Sequence, residues 1–247
     1  MNWKEWKHNN YLHFDEKGEV AMNKMSISPI ITALENSFDW LNNRFYDGKL
    51  NRPVITMSEG KDRYRGWFWA GTKENPDAGK IWHTKDGTQS TNELNVCSDS
   101  LDRSFEEIVD TLCHEMVHCY NDMEHVQDCA RSGSRHNKKF KEAAEAHGMK
   151  WNPPVEGDES SQADFKRVGF SRVSLKDEHK TEVYKGLNEL KEALVIYRDK
   201  TCTGNKKPTK KSSVIKYICP CCGNSVRATK EVKIMCMDCD QPMEPDL

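Results

Sequence analysis

Between Thr111 and Phe140 the chain reads TLCHEMVHCYNDMEHVQDCARSGSRHNKKF, with four histidines, three cysteines and several carboxylates in one run. Its first part holds His114-Glu115-x-x-His118, an H-E-x-x-H arrangement. Residues four apart on a helix share a face, with Cβ atoms about 5–6 Å apart. Two imidazole nitrogens so placed can reach one zinc ion at about 2.0–2.1 Å. The glutamate between them lies beside the metal without ligating it, where it can take a proton from water that the metal activates. Attack of that water on a metal-polarised carbonyl is peptide hydrolysis, which makes Glu115 the candidate catalytic residue.

A hydrolytic zinc needs a third protein ligand and an open fourth position. Downstream, Glu124, His125, Asp128, Cys129, His136 and His147 are the candidates. A continuing helix would carry His125 two turns away, so it reads as a surface residue. His147 lies at the far end of the next helix, three turns from His136. His136 follows the turn RSGSR, can be delivered across to the first helix, and is the expected third ligand. Cys129 offers a further possibility, a fourth ligand that would keep an enzyme latent. Cys113 and Cys119 fall on helix positions turned away from the histidines and read as packing groups.

A second set of metal-ligating residues lies near the C-terminus. Cys219-x-x-Cys222 and Cys236-x-x-Cys239 are separated by 13 residues, and the first pair reads C-P-x-C-G. Each pair can make a tight turn that aims two thiolates at one tetrahedral ion, the pattern of a zinc ribbon. Four thiolates close the coordination sphere, so this zinc is structural, and so small a module is expected to fold only around it. Cys221 is out of register and reads as a spare. A thioredoxin-like redox pair would need a surrounding βαβ pattern, which is missing here.

The elements that must position these groups follow from apolar period and punctuation. Ile31, Leu34, Phe38, Leu41 and Phe45 recur at helical steps up to Gly48. Val54–Met57, Gly66–Ala70, Lys80–His83 and Glu93–Cys97 read as short strands of a small, mostly antiparallel sheet. Trp67, Trp69 and Trp82 are expected to pack that sheet on a helix, the alternative being an aromatic shelf for a ligand. Ser104 and Glu107 form a capping box for the H-E-x-x-H helix, whose buried stripe is Phe105, Ile108, Val109, Leu112, Met116 and Val117. A second helix is expected over His136–His147, a loop over 151–165, a strand near 170–175 and a further helix over 181–198. The predicted fold is α+β, a small antiparallel or mixed sheet on a zincin-like H-E-x-x-H helix, followed by a zinc ribbon. The expected divisions are a lead-in at 1–29, a metallopeptidase domain at 30–199, a linker at 200–213 and the ribbon at 214–247.

At this point the residues carry a resemblance. LCHEMVH followed by RHNKKFKEAAEAHGM is similar to the SprT-like metallopeptidases, relatives of the eukaryotic protease Spartan. FDWLNNRFYDGKLNRPVITMSEG resembles the opening helix and first strand of that family, and C-terminal cysteines are found in many members, so the likeness spans about residues 30–240. It implies zinc ligands His114, His118 and His136, with Glu115 as general base and a DNA-associated or DNA-crosslinked protein as substrate. The insert between Asn121 and Arg135 is longer than in the shortest members.

Composition narrows the remaining classes. The 247 residues carry a net charge of −2, and 36% are hydrophobic. No stretch approaches the roughly 18 apolar residues of a membrane span. The N-terminus lacks a signal-peptide core, so the ten cysteines are expected to serve metal binding or packing in a reducing cytoplasm rather than disulfides. Between Arg198 and Lys233 ten Lys/Arg face two acids. Lys206, Lys207, Lys210, Lys211, Arg227, Lys230 and Lys233 are candidate phosphate contacts. The resulting expectation is a monomeric zinc endopeptidase with one catalytic and one structural Zn2+, a protein substrate and DNA as partners, and no membrane. It would be nucleoid-associated if it binds DNA. The rival is a non-catalytic nucleic-acid-binding zinc protein that uses the H-E-x-x-H domain as a scaffold.

Overall fold

Helix α1 (Ser28–Phe45) carries Pro29 in its first turn, which its fixed φ suits. Its Ile30, Ala33, Leu34, Phe38 and Leu41 are buried on one face. The helix ends where Asp47 and Gly48 adopt φ of 55° and 71°. The Asn42 side chain then donates to the Leu50 carbonyl (2.9 Å) and accepts from the Leu50 amide (3.0 Å), turning the chain towards the sheet. The structure, a computed structural model, describes residues 25–60, 64–72, 74–130, 135–199 and 214–246. The expected contacts from Lys206, Lys207, Lys210 and Lys211 lie outside the described residues, as does most of the expected lead-in.

The main sheet contains β1 (Val54–Ser58), β2 (Gly66–Phe68) and β5 (Glu93–Cys97) in the order β1-β5-β2. β1 runs parallel to β5 and β2 antiparallel to it, so the sheet is mixed rather than mostly antiparallel. Lys80–His83 does not join it. That segment supplies β3 (Trp82–His83), which pairs only with β4 (Ser90–Thr91). The turn joining them is fixed by Asp86, which accepts from the Thr88 amide (3.1 Å) and from the hydroxyls of Thr84 (2.5 Å) and Thr88 (2.9 Å).

Glu93–Cys97 is the central strand of the three. Leu94, Asn95, Val96 and Cys97 are all fully buried, which requires cover on both faces. The tryptophans also depart from expectation. Side chains alternate along a strand. Gly66 and Phe68 face the helix and the core, so Trp67 and Trp69 point the other way. Trp69 and Trp82 are 50% and 43% exposed.

Helix α2 (Phe105–Met123) carries the expected capping box: Ser104 accepts from the Glu107 amide and Glu107 from the Ser104 amide, both at 3.2 Å. Ile108, Val109, Leu112, Met116 and Val117 are buried in the core shared with α1, β1 and β5, whereas Phe105 is only partly covered. Cys113 and Cys119 are buried in that core too.

After α2, a short hairpin pairs β6 (Cys129–Ala130) with β7 (Arg135–His136). Helix α3 (Lys138–Ala146) follows, capped by Asn137, and strand β8 (Met149–Trp151) after it. The segment expected to be a loop holds helix α4 (Glu159–Val168), whose start is fixed by Asp158 accepting from the Ser160 (2.9 Å) and Ser161 (3.2 Å) amides. Its apolar stripe is too thin to announce a helix. β9 (Val173–Leu175) pairs with β8.

The last expected helix is divided into α5 (Asp177–Gly186) and α6 (Asn188–Ala193). The break falls where Gly186 lies against the Trp40 ring, with an ideal Cβ only 2.4 Å from Trp40 Cε2. Residues beyond Leu194 leave the helix so that the Arg198 amide reaches the Ser98 carbonyl at 3.1 Å.

The chain divides into two compact units between Arg198 and Asp199. In the second, β10 (Ile215–Ile218) is flanked by β11 (Ser225–Ala228) and β14 (Glu244–Asp246). β12 (Met235–Cys236) pairs with β13 (Gln241–Pro242). Tyr217, Cys219, Cys236 and Met243 form its small buried centre. The architecture is mixed α+β with small sheets, and among the described residues no helix is long and apolar enough to cross a membrane.

Candidate metal centres

Helix α2 presents His114 and His118 one turn apart, with ring centroids 5.1 Å from each other. β7 brings His136 to the same point from extended backbone just before α3, not from the helix itself. The His136 Nε2 lies 3.0 Å from His114 Nε2 and 3.1 Å from His118 Nε2. Two nitrogens each 2.0–2.1 Å from a tetrahedral ion would be about 3.3 Å apart, so the triad fits a small divalent metal to within a few tenths of an ångström. Phe140, one turn into α3, packs against all three rings at 4.5–4.8 Å between centroids.

Neighbours set the protonation of the rings. Burial, with the like charges of His136 and His118, pushes His114 well below its ordinary pKa. Burial and His118 push His136 down to about 3. Both imidazoles are therefore neutral, the form that ligates a metal. Burial alone would lower His118, but the hydrogen bond and charge of Asp128 outweigh it and raise the pKa. His118 Nδ1 sits 2.7 Å from Asp128 Oδ2, which also accepts from Asn121 Nδ2 at 2.9 Å. A carboxylate on Nδ1 fixes the tautomer that leaves Nε2 free. Glu115 is buried beside this network, and burial lifts its carboxyl to about 7, with His118 opposing and Asp128 adding to the rise.

A strap from α4 to β9 completes the back of the site. The His136 carbonyl accepts from the Phe170 amide at 3.1 Å. Gly169 has φ of +64°, and an ideal Cβ there would stand 2.1 Å from the His136 carbonyl oxygen. The Ser171 backbone also lies against the His114 ring, where it opposes the fall in that ring's pKa. Half-buried Trp151, Phe165 and Phe170 pack together at centroid distances of 5.1–5.9 Å and hold the strap down.

The remaining candidates separate clearly. Cys129, which pairs with His136 across the hairpin, clusters with Asp128 and His118 rather than with the three-histidine group. Burial and the nearby carboxylates of Asp128 and Glu115 raise its thiol pKa. Glu124 and His125 are exposed past the end of α2. His147 stacks on Tyr46 at 4.3 Å. Sequence reasoning weighed Asp128 only as a ligand and did not find Asn121, which acts through Asp128 seven residues on, or the Gly169 strap, whose contact with His136 is distant in sequence.

In the second unit the Sγ atoms of Cys219, Cys222, Cys236 and Cys239 gather within 4.8 Å of one another. Cys222 and Cys236 are 3.6 Å apart, close to the roughly 3.8 Å expected for two sulfurs about 2.3 Å from a tetrahedral ion. The backbone amide of Cys222, and less strongly that of Cys221, holds the Cys219 thiol down to about 7 against the opposing effect of burial. Asn224 Nδ2 donates to Asp238 Oδ2 at 3.1 Å and ties the two knuckles together. Cys221 is exposed, as are Arg227, Lys230 and Lys233. Both clusters could hold a metal.

Comparison with known proteins adds no assignment: no protein-family model, no curated protein and no solved structure matches this chain.

Proposed function

We propose that the chain is a zinc-dependent endopeptidase of the SprT-like kind it resembles, acting on proteins bound or crosslinked to DNA. The observation that carries this reading is the approach of His136 Nε2, delivered by β7, to 3.0 and 3.1 Å from the Nε2 atoms of His114 and His118 on a helix that also buries Glu115. A zinc ion held by His114, His118 and His136 would supply a Lewis acid for the scissile carbonyl and lower the pKa of the attacking water. Glu115, with its pKa near 7, is matched to accept that proton and pass it to the leaving amine. Asp128 and Asn121 hold His118 in the ligating tautomer. The substrate would add to the open edge of β2, where the Gly66 and Phe68 backbone groups point away from β5. An ideal Cβ on Gly66 would be 3.1 Å from Glu115 Oε1, so that edge passes directly over the base.

The four-cysteine module reads as a closed, structural zinc ribbon, with exposed Arg227, Lys230 and Lys233 available to phosphates. The rival reading, a nucleic-acid-binding scaffold without turnover, leaves Glu115 without a purpose: a buried carboxyl with a raised pKa weakens the fold at neutral pH. The test is incubation with a DNA–protein crosslink, with and without chelator and with and without free DNA. Chelator-sensitive loss of the crosslinked protein is expected. Intact crosslinks in the presence of fully zinc-loaded protein would favour the scaffold.

A further inference from the structure

The sheet face turned away from α2 carries aromatic rings that the proposed chemistry does not use. Trp67 and Trp69 stand opposite Asn95 and Glu93 of β5, which share this face because Leu94 and Val96 point into the core. Trp82 Nε1 donates to Glu93 Oε2 at 2.8 Å, so the β3–β4 hairpin brings a third indole alongside. Trp69 and Trp82 remain 50% and 43% exposed. Large rings left in water beside an open strand edge are a feature of binding surfaces rather than of packing.

Strand geometry specifies what would lie there. A polypeptide added to the edge of β2 sends alternate side chains to opposite faces of the sheet. One set faces α2, Glu115 and the histidine triad. The other set falls against Trp69 and, beyond it, Trp82 on Glu93. Glu93 accepts from the Trp82 indole, while Asp77 of the preceding turn is neutralised by Lys80 at 2.7 Å. The single carboxylate on Trp82 leaves the exposed rings themselves, and the open backbone edge beside them, as what an extended polypeptide would meet.

Resting on the peptidase reading, we infer that Trp69 and Trp82 form an apolar shelf that selects alternate side chains of an extended substrate, so that the site prefers unfolded segments with apolar residues two apart. The test uses the full zinc-loaded chain and fluorogenic peptides with Leu or Phe at alternate positions, matched to peptides with Ser there. Binding of the same labelled peptides is measured in parallel by anisotropy on Glu115→Gln protein. Wild type should prefer the apolar set in KM. Trp69→Ala with Trp82→Ala should cut the apolar-to-polar ratio about tenfold, with metal content and circular dichroism unchanged, and Trp82→Phe should restore most of it.

An unchanged ratio, or an equal loss on both peptide sets, would overturn the shelf. So would quenching of the exposed tryptophans by single-stranded DNA that competes with the apolar peptides. If no peptide is cleaved, the peptidase reading fails instead, and the anisotropy preference alone decides the shelf.

Discussion

Replacing Gly169 by alanine isolates what the strap does for the metal site. At φ +64° and ψ −135° the backbone lies in a region that side chains other than glycine rarely adopt, a strain of roughly 1–3 kcal/mol. The added Cβ would also stand 2.1 Å from the His136 carbonyl oxygen and 3.1 Å from its carbon. Restoring ordinary contact requires a movement of about 1 Å or more between strap and β7. That movement also breaks the Phe170 to His136 hydrogen bond of 3.1 Å, worth roughly 1 kcal/mol. The total is roughly 2–4 kcal/mol of stability, and a displaced His136 should weaken metal binding at the triad by about 10- to 100-fold, the range seen when a ligand loses its support.

Gly157 supplies the control, because its φ is +80° yet an ideal Cβ there meets nothing within 4 Å. Gly157→Ala should therefore show only the strain component. Urea unfolding of metal-free protein and zinc titration against a competing chelator give the two readouts. Equal behaviour of the two variants in both would refute the close approach of Gly169 to His136.

Three further outcomes follow from other contacts. Asp128→Asn should lower zinc affinity at the triad by about 10- to 100-fold without changing metal stoichiometry, whereas Cys129→Ser should leave both unchanged; a full equivalent of zinc lost with Cys129 would restore its case as a fourth ligand. Cys236→Ser should unfold the second unit and release one equivalent of zinc while the amide signals of α2 persist, checked by NMR and metal analysis. Asp86, held to about 2 by the Thr84 hydroxyl and the amide and hydroxyl of Thr88, should titrate in carboxyl-detected NMR well below a free aspartate. Because the folded pKa is lowered, its support for the hairpin turn is complete above about 4, the unfolded value, and disappears as pH falls through about 2. A midpoint near 4 would show that those hydrogen bonds do not form.

Local chemistry was legible in the sequence, and long-range geometry much less so. The capping box announced α2 because Ser104 and Glu107 are three residues apart, and the same helix period placed His114 and His118 on one face. The paired C-x-x-C spacings likewise selected the four thiols that gather in the second unit. His136 could be chosen because a turn precedes it, but its delivery from a strand, and the 169–171 strap behind it, depend on α4, whose few apolar residues concealed the helix. Apolar character identified Glu93–Cys97 as a strand. Its central position came from burial of Asn95 and Cys97 on the second face, which periodicity does not report. Aromatic character predicts that the tryptophans pack the sheet on a helix, yet the one-residue offset from Gly66 and Phe68 turns Trp67 and Trp69 to the outer face.

The most direct test of the central claim pairs metal content with turnover in Glu115→Gln. Wild type and variant should both bind two zinc ions, one for each of the histidine and cysteine clusters, while hydrolysis of an unfolded protein substrate falls by about 10²-fold or more in the variant. Cleavage by the variant at the wild-type rate, with both zinc ions in place, would contradict the assignment of Glu115 as the base.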